Sequence, residues 1–236
     1  MAKTLLSIGH GYSARALAPL LLAEGWRIIG TTRSAEKAEV LCAEGVEAVV
    51  WPGTDLRPCL AQASHVLTSV APTPDGDPVL ADIGAELAQA AHLEWVGYLS
   101  TTGVYGDHKG GWVDEATPLT PSTKRGQMRV AAEAAWQALG LPLHIFRLAG
   151  IYGPGRGPFA KVRAGTARRI IKQGQVFSRI HVADIAQVLA ASIARPNAGA
   201  IYNLCDDDPA PPEVVIGYAA ELLGSPLPPA EDFETA

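Results

Sequence analysis

The sequence has 236 residues, of which 48% are hydrophobic and 18% charged, and its formal net charge is −5. The length is sufficient for one sizeable α/β domain with a small C-terminal lobe. The composition suits a well-buried core and argues against a disordered chain. The negative charge argues against nucleic acid as a partner. No apolar run reaches the ~18 residues of a membrane span, and no signal-peptide pattern is evident, so we expect a cytoplasmic protein without a membrane partner. The three cysteines form no metal-binding or disulfide pattern, so no metal is expected.

Short apolar runs alternate with helical patterns from the N-terminus to about residue 150. The predicted strands are 4–8, 27–31, 47–51, 65–70, 95–99 and 143–147, and the predicted helices are 13–23, 35–43, 79–91 and 123–139. Such alternation is typical of βαβ units and of a parallel sheet buried on both faces. We therefore predict an α/β protein with a doubly wound parallel sheet, the Rossmann fold, over residues 1–150.

The pattern loosens after residue 150, where glycine and proline dominate as far as residue 158. A strand-like segment at 175–182, a helix at 183–194, a strand at 200–203 and a helix at 212–223 follow. We assign residues 151–236 to a small C-terminal substrate lobe. Residues 225–236 show no periodicity, and we expect this tail to be poorly ordered.

A glycine-rich turn follows the first predicted strand directly and opens the first predicted helix. It matches the G-x-G-x-x-G/A pattern of dinucleotide-binding turns with Gly9, His10, Gly11, Tyr12, Ser13 and Ala14. Gly9 permits the tight turn, Gly11 lets the backbone approach a pyrophosphate, and Ala14 allows close helix–strand packing. The sequence thus predicts a nicotinamide dinucleotide site over the first 150 residues.

The end of the second strand favours NADP over NAD. An NAD-binding protein usually has an acidic residue there to hold the ribose hydroxyls, whereas this chain has Thr32, Arg33 and Ser34. Arg33 can make charge-assisted hydrogen bonds to a 2′-phosphate. The alternative, NAD with Arg33 as a solvated helix-start residue, stays open. Ligands of open α/β sheets bind at the carboxyl ends of the strands, so further cofactor contacts are expected at Val70, Ala71, Gly150 and Tyr152.

Four sequence blocks in order resemble the extended short-chain dehydrogenase/reductases, the NAD(P)-dependent epimerase/dehydratase group. They are GHGYSA, the segment YLSTTGVYGDHKGGWVDEATPLTP, FRLAGIYGPGR and RIHVADIA. The resemblance implies the Rossmann fold, an adenine contact at Trp51 and Pro52, and Thr101 as the hydroxyl that polarises the reacting oxygen. Extended members continue beyond the point where this sequence stops, so the resemblance implies an incomplete substrate lobe.

The sequence departs from that group at its Tyr-x-x-x-Lys pair. Alignment on the following Ala–Glu pair puts Arg125 in the tyrosine position and Arg129 in the lysine position. An arginine stays protonated and cannot act as the acid or base, although Arg129 could hold cofactor or substrate. The chain thus resembles the atypical branch of the group, which keeps the nucleotide fold without the standard catalytic pair.

Other polar residues have a functional and a structural interpretation. Tyr105 and Tyr152 could contact substrate or donate a proton, or could be packed rings with satisfied hydroxyls; His181 could act chemically or organise the lobe. Acidic residues after the fifth strand fit turn and capping roles better than an acid/base pair, and they are Asp107, Asp114 and Glu115. A basic segment could bind an anionic substrate or form a solvated helix face, and it contains Lys161, Arg163, Arg168, Arg169 and Lys172.

Two functions fit these features. The first is an NADP(H)-dependent oxidoreductase or epimerase-like enzyme for a small anionic substrate, with Thr101, Arg129 and Tyr105 as its catalytic residues. The second is a non-catalytic NADP(H)-binding sensor or partner protein, because the acid/base pair is replaced. The oligomeric state and the substrate itself are left open by the sequence.

Overall fold

The computed structural model describes residues 3–235 of the chain. The first part of the chain contains β1 (Thr4–Ile8), α1 (Tyr12–Ala23), β2 (Arg27–Thr32), α2 (Ala35–Ala43), β3 (Glu47–Val50), α3 (Arg57–Leu60), β4 (His65–Thr68), α4 (Pro78–Ala88), β5 (Trp95–Thr101), a 3-10 turn (Thr102–Val104), α5 (Lys124–Gln137) and β6 (Leu143–Leu148). The second part contains β7 (Gly150–Tyr152), α6 (Pro158–Arg163), β8 (Arg169–Ile171), β9 (Arg179–His181), α7 (Val182–Ala194), β10 (Ile201–Leu204), α8 (Pro212–Leu222) and β11 (Ala230–Asp232). None of the helices in residues 3–235 is both long and apolar enough to cross a membrane.

Seven parallel strands form the central sheet in the order β3-β2-β1-β4-β5-β6-β10. The strand order reverses between β1 and β4, and in doubly wound sheets ligands bind beyond the carboxyl ends of the strands at this point. The predicted Rossmann-type α/β fold is confirmed.

Helices cover both faces of the sheet. On one face Leu17 of α1 and Leu189 of α7 belong to one apolar cluster, and α1 packs against α7. On the other face Ile83 of α4 and Trp136 of α5 belong to a second cluster. Because the strands are apolar on both sides, the sheet becomes the buried middle layer.

The segment after residue 150 contributes to the sheet as well as to the lobe. α7 packs on α1, and β10 pairs with β6 from Ile201 opposite Ile145 to Leu204 opposite Leu148. The lobe itself contains two short parallel pairs, β7 with β9 and β8 with β11. The C-terminal part of the chain therefore supplies the last strand of the main sheet.

The expectation of a poorly ordered tail was wrong for residues 225–235. Within that tail β11 pairs with β8, and the backbone N–H of Phe233 donates to the carbonyl of Ile171 at 3.1 Å. Glu231 forms an ion pair with Arg168 at 3.0 Å, and the ammonium of Lys172 lies 4.4 Å from the Phe233 ring centre. A three-residue strand has too few alternations to be visible as a pattern, and its partner strand fixes it.

Candidate functional site

A cleft of about 750 Å³ opens at the carboxyl edge of the sheet, where the strand order reverses between β1 and β4. The residues expected to bind cofactor that line it are Gly9, His10, Gly11, Tyr12, Ser13, Thr32, Arg33, Trp51, Pro52, Val70, Ala71, Arg129 and Gly150. Thr101 lines it as well. The cleft thus brings together predicted positions from the ends of β1, β2, β3, β4 and β5.

The glycine turn forms one wall of the cleft. Gly9 has φ +76°, which favours glycine, and its N–H donates to the hydroxyl of Thr31 at 2.8 Å. Gly11 precedes α1, and a Cβ added there would meet only the carbonyl oxygen of Gly9, at 3.7 Å. The turn therefore leaves open space above Gly11 beside the first N–H groups of α1, the arrangement that binds a pyrophosphate.

Ala14 and His10 of the turn pack into the protein. Ala14 is buried among the core residues that α1 presents to the sheet, and it does not line the cleft. The His10 ring lies against Gly30 of β2, and its Nδ1 is 2.9 Å from the Ser7 hydroxyl. Burial lowers the pKa of His10 to about 4, so the ring is neutral at physiological pH. It lines the edge of the cleft as an uncharged side chain.

Two cationic side chains lie between the end of β2 and the first turn of α2. Arg33 and Lys37 are exposed, line the cleft and stand within one turn of each other at the start of α2. Lys37 was not predicted, although its place in the first turn of the helix after Arg33 could have indicated it. Ser34, expected to contact cofactor, instead caps α2, because its hydroxyl accepts from the N–H of Lys37 at 3.4 Å.

Trp51 and Pro52 line the cleft where β3 ends. The Trp51 ring is buried, and its Nε1 donates to a carboxylate oxygen of Asp82 at 2.6 Å. This bond fixes the ring at the rim of the cleft, so it offers a rigid apolar surface.

Hydroxyl and guanidinium groups meet at the inner end of the cleft. Thr101 ends β5, and its hydroxyl accepts from the N–H of Gly103 at 3.2 Å. Ser100 lines the cleft beside it and donates its proton to the buried carboxylate of Glu133. Arg125 lies on α5 and also lines the cleft. Ser100 was missed by sequence reasoning, although its hydroxyl directly precedes Thr101.

Arg129 lies one helical turn after Arg125 and is only 7% exposed. Its Nη1 donates to the Tyr98 hydroxyl at 2.8 Å, the Leu99 carbonyl at 3.0 Å and the Val70 carbonyl at 3.3 Å. These three oxygens come from β5 and from the segment after β4. Arg129 thus ties α5 to two strand ends while lining the cleft.

Tyr105 has a structural position, which corrects its assignment as a catalytic residue. It is buried outside the cleft, and its hydroxyl donates to Asn203 at 2.7 Å and accepts from Nη1 of Arg147 at 2.8 Å. Arg147 in turn forms a buried ion pair with Glu133. Because its hydroxyl is engaged by Arg147 of β6 and Asn203 of β10, Tyr105 joins two strands and does not line the cleft.

Tyr152, expected to contact cofactor, also lies outside the cleft lining. Its ring packs edge-on against His181 at 5.1 Å, and burial raises the pKa of its hydroxyl. His181 caps α7, because its Nδ1 accepts from the N–H of Ala183 at 3.2 Å. The structural interpretation of both rings fits these contacts.

Each acidic residue after β5 accepts a backbone hydrogen bond, two of them within turns and one from β10. Asp107 accepts from the N–H of Lys109 at 2.8 Å, and Asp114 accepts from the N–H of Ala116 at 3.1 Å. Glu115 accepts from the N–H of Asn203 on β10 at 2.6 Å. No group of three or more His, Cys, Asp or Glu in residues 3–235 is arranged to hold a metal ion.

The basic segment lies in the lobe and does not line the cleft. Arg168 pairs with Glu231, Lys172 lies over Phe233, and the Arg163 guanidinium lies 5.9 Å from the Phe159 ring centre. The cations that do line the cleft are Arg33, Lys37, Arg125, Arg129 and Arg156, and within residues 3–235 no Asp or Glu lines it. The cleft is therefore cationic in a chain of net charge −5.

Arg156 belongs to the Gly153–Gly157 loop that reaches the glycine turn. Its guanidinium lies 5.5 Å from the Tyr12 ring centre, and the Tyr12 hydroxyl donates to the Pro154 carbonyl at 3.0 Å. Both side chains line the cleft. The loop after β7 is thereby held against the start of α1.

The fold and cleft define a Rossmann-type protein with the architecture of NAD-dependent epimerases and dehydratases. The dTDP-glucose 4,6-dehydratase of Bacillus anthracis str. Ames, solved in complex with NAD, has a TM-score of 0.79 and 17% identity, with 98% of this chain and 84% of that chain covered. At that identity the likeness shows the shared fold.

Two further relatives are more similar in sequence. A conserved protein of unknown function from Silicibacter pomeroyi DSS is 62% identical with a TM-score of 0.96, covering 100% of this chain and 83% of that chain. Protein YeeZ of Escherichia coli (strain K12) is 29% identical over 237 residues, covering 94% of this chain and 84% of YeeZ. No protein-family model matches the chain. The chain belongs to the same family as the Silicibacter pomeroyi protein.

Proposed function

We propose that this protein is an NADP(H)-dependent oxidoreductase or epimerase-like enzyme that acts on a small anionic substrate. The main support is the composition of the cleft, in which a dinucleotide-type glycine turn is combined with five cations and, within residues 3–235, no carboxylate. A cleft of one charge sign attracts ligands of the opposite sign.

The residues present fit a nicotinamide dinucleotide with a 2′-phosphate. Open space above Gly11 at the start of α1 suits the pyrophosphate. Arg33 and Lys37 offer two cations at the end of β2, where this fold holds the adenosine ribose, and both are exposed and able to reach a phosphate. When bound, the dinucleotide would supply hydride transfer.

Thr101, Ser100 and Arg125 would hold the substrate at the inner end of the cleft. The Thr101 hydroxyl can donate a hydrogen bond to a substrate oxygen, because its own contact with Gly103 uses it as an acceptor. Arg125 and Arg129 would neutralise negative charge there without changing protonation state.

A second function, a non-catalytic NADP(H) sensor, is favoured by the chemistry of the side chains at the inner end of the cleft. Its guanidinium groups cannot exchange protons at working pH. The tyrosine that lines the cleft, Tyr12, already donates its proton to Pro154. A protein with this cleft could bind the dinucleotide and report its level through a partner.

The test measures NADPH binding by calorimetry and NADPH oxidation against a panel of carbonyl compounds with and without carboxylates. The enzyme proposal predicts tight NADPH binding and turnover that favours the negatively charged compounds of the panel over the uncharged ones. Binding without turnover of any compound supports the sensor, and absence of NADPH binding contradicts both functions.

A further inference from the structure

Two arginines are buried at the packing of α5 against the sheet, Arg129 on α5 and Arg147 on β6. Arg147, 3% exposed, donates from Nη1 to the Tyr105 hydroxyl at 2.8 Å. Its other two nitrogens, Nε and Nη2, donate to the two carboxylate oxygens of Glu133 at 3.3 and 2.8 Å. The Nε–Nη2 edge of Arg147 is thus filled by a carboxylate in the forked geometry that guanidinium favours.

Arg129 also donates from Nη1 to a tyrosine hydroxyl, but no carboxylate of the described residues contacts its Nε and Nη2. Its Nη1 donates to the Tyr98 hydroxyl at 2.8 Å and to two backbone carbonyls. Within residues 3–235, Nε and Nη2 have no hydrogen-bond acceptor, and no carboxylate forms an ion pair with the group. Neither atom is fully enclosed by protein, so this edge of the guanidinium is open to the cleft.

An anion can therefore reach Arg129 from the cleft. The side chain lines the cleft, and Arg125, four residues earlier on α5, lines it too. Residues four apart stand on the same helix face, so the two guanidinium groups approach a ligand together. Thr101 adds a hydroxyl group at the same end, and this group can still donate its proton because its contact with Gly103 uses only the oxygen.

We infer that the Nε–Nη2 edge of Arg129, assisted by Arg125, binds a carboxylate group of the substrate. This inference rests on the proposed function and names the anionic group of its substrate. A carboxylate matches the planar fork in two parallel hydrogen bonds, as Glu133 does on Arg147.

The phosphates of the dinucleotide have other partners in the cleft. The glycine turn offers the N-terminus of α1, and Arg33 with Lys37 stands at the end of β2. Arg129 extends from α5 to the ends of β4 and β5, at a different part of the cleft lining. A carboxylate on Arg129 and a bound dinucleotide should therefore occupy the cleft together.

The experiment titrates malonate, as a simple carboxylate probe, into the full chain with and without saturating NADP⁺. We expect malonate to bind in both states with affinities within about threefold. Arg129→Gln should weaken malonate binding at least tenfold, and Arg129→Lys should weaken it similarly, because an ammonium lacks the fork. Arg163→Gln, at an exposed lobe arginine outside the cleft, is the matched control and should leave it unchanged.

Melting temperatures separate a binding role from a structural one. Arg129→Gln also loses the three hydrogen bonds from Nη1, so a lower melting temperature by itself reports only that structural role. The binding role is tested by malonate, which should raise the melting temperature of the wild type but not that of the folded variant. If Arg129→Gln fails to fold, Arg125→Gln tests the inference instead, because Arg125 is exposed and lines the same end of the cleft. We expect it to weaken malonate binding at least threefold.

Three results would overturn the inference: unchanged malonate affinity in the folded arginine variant, competition between malonate and NADP⁺, or no malonate binding by the wild type. Competition would assign the edge to the cofactor. Failure of NADPH to bind would contradict the proposed function alone, because malonate binding to the cofactor-free protein is measured separately.

Discussion

Ser100 at the inner end of the cleft donates its hydroxyl proton to Oε1 of Glu133, the carboxylate that also neutralises Arg147. Arg147 then donates to Tyr105, whose hydroxyl continues to Asn203 on β10. One chain of hydrogen bonds thus runs from the cleft to the last strand of the sheet. Such a network is stable only when every buried member has its partner.

Breaking this network should destabilise the fold strongly. Glu133→Gln leaves the guanidinium of Arg147 buried without a counter-ion, which costs about 3–5 kcal/mol. Urea unfolding should show this loss. Glu44→Gln breaks the exposed ion pair with Arg15 and serves as the control, with an expected loss of about 0–1 kcal/mol. Equal losses in the two variants would mean that the buried pair contributes no more than an exposed one.

Closing the space above Gly11 should abolish dinucleotide binding and spare the fold. In Gly11→Val the added Cβ meets only the Gly9 carbonyl at 3.7 Å, and the backbone has φ −100°, which valine tolerates. The side chain would fill the space proposed for the pyrophosphate. Calorimetry should show NADPH affinity reduced at least tenfold with an unchanged melting temperature.

Gly84→Ala is the matched control for that substitution. Gly84 lies within α4 away from the cleft, and a Cβ there makes an ordinary contact of 3.6 Å with Leu80. It should keep wild-type NADPH affinity. A Gly11→Val protein that binds NADPH as the wild type does would disprove the role of the turn.

Two of the buried histidines, His10 and His65, should make stability fall in mild acid. Burial lowers the pKa of both His10 and His65 to about 4, against 6.5 in the unfolded chain. Below pH 6.5 the unfolded chain takes up protons that the folded chain does not, so stability present above pH 6.5 is lost as the pH falls towards 4. Between pH 7 and pH 5 each histidine should lower the free energy of unfolding by about 2 kcal/mol.

The variant His65→Gln isolates one of these contributions at a site on β4 outside the cleft. Urea unfolding at pH 7 and pH 5 should show a pH-dependent loss smaller by about 2 kcal/mol than in the wild type. The same loss in both proteins would mean that His65 is not held neutral by the fold.

Local sequence patterns predicted the sheet and one wall of the cleft. The turn from Gly9 and the end of β2 at Arg33 are contiguous signals, because each combines a strand end with the residues that follow it. Contacts between distant segments could not be predicted. Nothing near Tyr105 shows that Arg147 and Asn203, 42 and 98 residues later, engage its hydroxyl. The tail strand likewise depends on a partner, β8, that is remote in sequence.

The proposed preference for NADPH over NADH rests on Arg33 and Lys37. Hydrogen bonds to charged groups contribute about 1.5–3 kcal/mol, and a tenfold change in affinity corresponds to about 1.4 kcal/mol. NADPH should therefore bind roughly ten- to a hundredfold more tightly than NADH. Higher salt should reduce this difference between NADPH and NADH affinity, because both cations are exposed and salt screens their charge.

The most direct test is a set of NADPH and NADH titrations at one ionic strength on the wild type, Arg33→Ala, Lys37→Ala and the control Arg163→Ala. We predict that Arg33→Ala removes most of the preference and Lys37→Ala part of it, both by weakening NADPH, while NADH affinity and the control stay unchanged. Equal affinities for NADPH and NADH in the wild type would contradict the assignment of this cleft to NADP(H).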